Sequence, residues 1–185
     1  MMQKSKRVHD YLFIFLEKYL SSLPLKHAYI KFFEKATLEE FEIVDINEND
    51  TILHIGCGPL PNTLITLAQH FKANYTGIDK DKEAVKIARE IVKEYRLNIK
   101  IEEGDAIDYP LQHFDIIIVS YGVEPKEKIF KRLRKETKEN VRIILRKQWD
   151  FMDTIYGRNI IPEGFKVIGY KKRRDFLKSY LLMKV

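Results

Sequence analysis

HIGCGPLPNT, residues 54–63, decides how this chain reads. It follows the apolar run TILHI (51–55) and precedes a helical pattern from about Leu60 to Phe71, so it marks a buried strand turning into a helix. Gly56 and Gly58 have no Cβ, which lets backbone approach a ligand closely at that turn. The turn also leaves backbone N–H groups unpaired, and such groups hold the pyrophosphate in dinucleotide-binding sheets. Leu60 stands where a third glycine would be. A pair of glycines by itself suits any tight strand-to-helix turn equally well.

Downstream, strands and helices alternate. NYTGID (74–79) reads as a strand, and Asp81 caps a helix to about Tyr95 with Ala84, Ile87, Ala88 and Ile91 on its inner face. NIKIEE (98–103) and FDIIIVS (114–120) are further strands; the near-continuous apolar run of the latter suits a central strand covered on both faces. Glu124–Lys138 reads as a charged amphipathic helix and VRIILR (141–146) as a fifth strand. GFKVIGY (164–170) and FLKSYLLMKV (176–185) read as a closing antiparallel hairpin. Such alternation implies a parallel sheet with right-handed crossovers. Upstream, Leu12, Phe13, Leu16, Tyr19 and Leu20 recur at helical spacing, Ser21-Ser22-Leu23-Pro24 breaks the pattern, and a second helix spans about His27–Ile43. The expected organisation is a helical extension, 1–48, that packs on the core or covers its cleft, followed by an α/β domain, 49–185.

Open α/β sheets bind ligands beyond the carboxyl ends of their strands. Three features fall there in order. Asp79 ends the second strand, where a carboxylate can accept from both hydroxyls of a ribose. Asp105 follows the third strand and can accept from an adenine amino group, with Ala106 or Ile107 against the ring. Ser120 and Tyr121 close the fourth strand, beside the place of a cofactor's reactive end.

This constellation resembles the class I S-adenosylmethionine-dependent methyltransferases over about residues 50–185. HIGCGP resembles their glycine loop, YTGIDKD the strand ending in the ribose-binding acid, EEGDAIDYP the adenine loop and FDIIIVSYG the fourth-strand motif. The resemblance implies a Rossmann-like, doubly wound, mostly parallel sheet of about seven strands with an antiparallel C-terminal edge. It implies S-adenosylmethionine as cofactor, contacted by Gly56, Cys57, Gly58, Pro59, Asp79, Lys80, Asp105, Ala106, Ser120 and Tyr121. It departs from the family at His54, where an acid usually helps orient the methionine end. The Asn/Asp-Pro-Pro-Tyr signature of exocyclic-amine methylases is absent, with Ser120, Tyr121 and Gly122 in its place.

GCGPLPNTLITLA (56–68), IILRKQWDFMDTIYG (143–157) and the closing hairpin also resemble the nicotianamine synthases, which share the fold and transfer the aminocarboxypropyl group instead of methyl. Their glutamate before the first strand has Glu39 or Glu40 as its counterpart here. In either reaction a nucleophile attacks a carbon on the sulfonium in line with the leaving sulfur, so the protein supplies placement and electrostatics. Catalytic candidates are Tyr121, Glu40 and His54.

The chain has 185 residues, 45% of them hydrophobic, enough for a core without disulfides or metals. Its one cysteine, Cys57, excludes an internal disulfide and fits a reducing cytoplasm. No apolar run approaches the ~18–20 residues of a membrane span. The five histidines show no metal-ligand spacing, and no metal is expected. The net charge of +6 reads as an ion-pair-rich surface. The run Lys171–Arg174 is either a solvated hairpin tip or a phosphate-contacting loop for RNA. Trp149, Phe151 and Tyr156 are candidates for the acceptor pocket. A small-molecule acceptor is the expected partner, with RNA the alternative.

Overall fold

Ile116, Ile117, Ile118 and Val119 are each wholly buried and form the centre of a single sheet. The computed structural model describes residues 26–148, 161–173 and 177–185. Helix α1 (Lys26–Phe41) comes first. After it come β1 (Thr51–Ile55), α2 (Asn62–His70), β2 (Asn74–Asp79), α3 (Lys82–Glu94) and β3 (Ile99–Glu103). The chain continues through β4 (Ile116–Val119), α4 (Lys126–Glu136), β5 (Arg142–Gln148), β6 (Phe165–Lys172) and β7 (Leu177–Lys184). The seven strands lie in the order β3-β2-β1-β4-β5-β7-β6. The first five pair in parallel, and β7 runs antiparallel to both β5 and β6.

The expected α/β architecture and antiparallel edge are both present. The last strand, however, inserts beside β5 and leaves β6 outermost. Burial explains the order: Ser179, Leu181 and Leu182 of β7 are buried, whereas Val167, Ile168 and Tyr170 of β6 are exposed. The strand with apolar residues for the interior takes the inner position. Strand order reverses between β1 and β4, which opens a crevice at their carboxyl ends.

Two apolar cores flank the sheet. On one face Ile52, Ile116, Ile118 and Ile144 meet α1, α2 and α3. On the other, Leu53, Ile117, Val119 and Ile143 meet Ile129, Phe130 and Leu133 of α4. Helix α1 is an integral layer: Ile30 and Phe41 belong to the first core, and Lys26 reaches Glu94 at 2.7 Å. The expected helix around Leu12–Leu20 lies outside the described residues. Among these residues no helix is long and apolar enough to cross a membrane.

Two helices start later than their apolar pattern suggests, for one reason. Proline disfavours helical backbone in the residue before it. Pro61 therefore keeps Leu60 out of α2, which begins at Asn62, and Pro125 keeps Glu124 out of α4, which begins at Lys126. Asp81 caps α3 as expected, accepting from the N–H groups of Glu83 and Ala84.

Candidate functional site

The glycine loop is stitched to the end of β2. Gly56 and Gly58 have φ of +73° and +67°, a region that side chains disfavour. Gly56 is tight as well: a Cβ there would lie 2.6 Å from Val123 Cγ2. The N–H groups of Gly56 and Cys57 both donate to the Ile78 carbonyl, at 2.9 and 3.1 Å. The Gly58 N–H donates to Asp79 Oδ2 at 3.0 Å, and the Asp81 N–H to Asp79 Oδ1 at 3.0 Å. Asp79 is thus held in one orientation across the mouth of the crevice, with each oxygen retaining a lone pair for a further donor. Cys57 and Pro59 are buried beneath the loop, and Lys80 is exposed beside it.

Asp105 organises its own loop. Its Oδ1 accepts from Ile107 N–H, and its carbonyl accepts from Asp108 and Tyr109. Ala106 faces the second core, and its carbonyl accepts from Arg132 at 2.7 Å. Ile107 is therefore the exposed apolar side chain of that loop. Ser120 and Tyr121 are partly buried just past β4.

A second group of residues lies on the α1 side of the same strand ends. His54 Nε2 meets Ser120 Oγ at 2.8 Å. Glu40, on α1, is wholly buried and accepts from Arg146 Nε at 2.8 Å and Nη2 at 2.5 Å, from Arg173 Nη1 and from Ser179 Oγ. Burial by itself would raise the Glu40 carboxyl, but the two guanidiniums and the bonds from Arg146 and Ser179 hold it at about 2. Arg146 and Ser179 were not singled out in the sequence. The available signal was an arginine directly after the apolar run Ile143–Leu145 of β5.

The described residues of the basic hairpin run divide: Lys171 and Lys172 stay at the surface, and Arg173 does not. Arg173 turns inward to Glu40 and is buried, and Lys171 reaches Glu42 at 2.6 Å. An unpaired glutamate inside the fold would be costly, and Arg146 and Arg173 supply the charge that Glu40 needs. Arg174, Trp149, Phe151 and Tyr156 lie outside the described residues.

Burial, and then the nearby Arg146 guanidinium, push the His54 imidazole down to about 3. The unfolded chain therefore binds a proton between about pH 6.5 and pH 3 that the folded chain refuses. This contribution to stability is complete above the unfolded value and is lost as pH falls through that window. Replacing His54 with glutamine is expected to flatten the stability profile there, by up to about 1.4 kcal/mol per pH unit for one proton. Urea unfolding at stepped pH reads the slope, and an unchanged slope would contradict a buried neutral imidazole.

A glycine loop locked to a strand-end acid at a switch point is matched by sequence comparison. The profile of a family described as a methyltransferase domain matches residues 46–161. The chain belongs to the methyltransferase domain family. This methyltransferase domain is 24% identical over 133 residues to the ribosomal protein L11 methyltransferase of Thermotoga petrophila, a match covering 71% of the chain and 50% of that protein. The chain thus spans about half the length of the curated relatives it matches. In fold it is similar to a mutant of MtNAS in complex with S-adenosylmethionine, with a TM-score of 0.82 and 18% identity over 99% of this chain and 77% of that one. It is also similar to an RNA methyltransferase from Salinibacter ruber in complex with S-adenosyl-L-homocysteine, with a TM-score of 0.63 and 17% identity over 82% of this chain and 90% of that one. At these identities the likeness is one of fold.

Proposed function

We propose that this chain is a cytoplasmic enzyme that transfers a methyl group from S-adenosylmethionine to a small-molecule acceptor. The observation that carries the reading is Asp79, fixed by the Gly58 and Asp81 N–H groups opposite a glycine loop at the switch point. Its remaining lone pairs suit the two hydroxyls of a ribose. Asp105 and the exposed Ile107 suit an adenine, and Ser120 and Tyr121 lie toward the reactive end. The family match agrees with this cofactor.

When bound, S-adenosylmethionine supplies the electrophilic carbon. The chain's residues position the acceptor and exclude water. Glu40 and His54 have conjugate acids near 2 and 3, too weak as bases to draw a proton from an amine at neutral pH. Of the three catalytic candidates, Tyr121 remains beside the loop, and the acceptor should arrive already deprotonated. The inward-turned Arg173 is committed to Glu40, which supports a small acceptor over RNA, so RNA binding should lack a steep salt dependence.

Calorimetry with S-adenosylmethionine, S-adenosylhomocysteine and methylthioadenosine tests the cofactor. Micromolar binding of the first two supports methyl transfer, and no binding of any removes the reading. One observation favours a second reaction, aminocarboxypropyl transfer: the likeness to MtNAS extends over 99% of the chain, α1 included. Release of methylthioadenosine in place of S-adenosylhomocysteine would establish it.

A further inference from the structure

Gly56, Ser120 and Arg146 stand level at the carboxyl ends of β1, β4 and β5. The register fixes this, because Ile55 faces Val119 and Val119 faces Leu145, one residue before each. Ser179 of β7 continues the row opposite Arg146. A Cβ on Gly56 would lie 3.4 Å from Ser120 Cβ, so the row begins at the glycine loop itself. It is a polar strip in a face that is otherwise aliphatic.

The strip has unused hydrogen-bonding capacity. His54 is 3% exposed, and its Nδ1 is buried without a hydrogen-bond partner. A buried polar atom left this way is destabilising, so its retention beside a ligand crevice points to a group that arrives with the ligand. If Ser120 donates to Nε2, the imidazole proton sits on Nδ1, which becomes a donor awaiting an acceptor. Arg146 commits Nε and Nη2 to Glu40, which leaves Nη1 outside that fork. In that tautomer both groups offer protons. The nearby carboxylate, Glu40, already accepts from Arg146, Arg173 and Ser179. The strip suits an anion and has little for an ammonium.

We propose, on the cofactor reading above, that Arg146 and His54 Nδ1 hold the carboxylate of the amino-acid tail of S-adenosylmethionine, so that the tail is gripped by its anion and not by its ammonium. An adenosine lying over Asp79 and the β3 loop directs its tail across β1 and β4 toward β5. A guanidinium and a neutral imidazole N–H there complement a carboxylate and repel or ignore the adjacent ammonium. The grip fixes how the sulfonium is rotated, and hence which of its carbons faces the acceptor.

The test is calorimetry on the full chain with S-adenosylhomocysteine and two analogues, aminopropyl thioadenosine, which lacks only the carboxylate, and carboxypropyl thioadenosine, which lacks only the amine. Loss of the carboxylate is expected to weaken binding roughly tenfold or more, as for a charge-assisted hydrogen bond, and loss of the amine by less than about threefold. Equal binding of the carboxylate-free analogue and the parent overturns the proposal, as does a larger penalty for losing the amine. Absence of binding by S-adenosylhomocysteine itself overturns the cofactor reading and this proposal with it. His54→Asp should bring the amine-free analogue to the weaker position; if the order is unchanged in a folded variant, His54 is not at the tail. Arg146→Gln strips Glu40 of a partner and threatens folding, so the comparison on the unaltered chain is the deciding one.

Discussion

Asp79→Ala is expected to weaken S-adenosylhomocysteine binding by about 100-fold or more, measured by calorimetry. Two effects combine. The substitution removes the acceptor for the Gly58 and Asp81 N–H groups, which frees the Gly58 end of the loop while the Ile78 carbonyl still holds Gly56 and Cys57. It also removes the carboxylate that would accept from the ribose, and each charge-assisted hydrogen bond is worth about 1.5–3 kcal/mol. Asp79→Asn keeps one acceptor oxygen and should fall between the two. The residue is only partly buried at a strand end, so the fold should persist, which circular dichroism can check. Binding by the alanine variant as tight as that of the unaltered chain would remove Asp79 from the site.

Glu40→Ala is expected to lower unfolding free energy by about 3–5 kcal/mol, because it leaves the Arg146 and Arg173 guanidiniums buried without their shared carboxylate. Glu40 ties α1 to β5 and to the closing hairpin, so α1 should lose its register on the sheet. The acid dependence carries a sign that can be checked. Glu40 titrates at about 2 when folded and near 4.5 otherwise, so its contribution is complete above the unfolded value and is lost as pH falls toward the folded one. In the alanine variant the fall in stability between those values should shrink. Urea midpoints equal to those of the unaltered chain at neutral pH would show that the buried pair contributes nothing net.

Most of the sheet was legible because its signals are local. The run at 116–119 is wholly apolar because both of its faces are covered, and the period of α3 switches from strand to helix immediately after Asp81. The glycine loop was legible for a related reason: a positive φ at Gly56 and Gly58 is a local backbone demand that selects a residue type. The acid at 79 lay at a predictable strand end. The N–H groups of Gly58 and Asp81, which fix its orientation, did not show in the sequence.

The sequence by itself determined the alternation of elements, the parallel sheet and the position of the glycine loop, since each rests on periodicity or on one residue's conformational freedom. The tertiary structure alone decided that β7 inserts inside β6, that α1 is a core layer, and that Glu40 of α1, Arg146 of β5, Ser179 of β7 and Arg173, just past β6, converge. Glu40 lies 106, 133 and 139 positions from Arg146, Arg173 and Ser179, and a charge whose partners lie so far along the chain reads locally as an ordinary surface charge. Only packing reveals that water has been excluded around it, and burial without water is what turns a glutamate and two arginines into a lock beside the crevice.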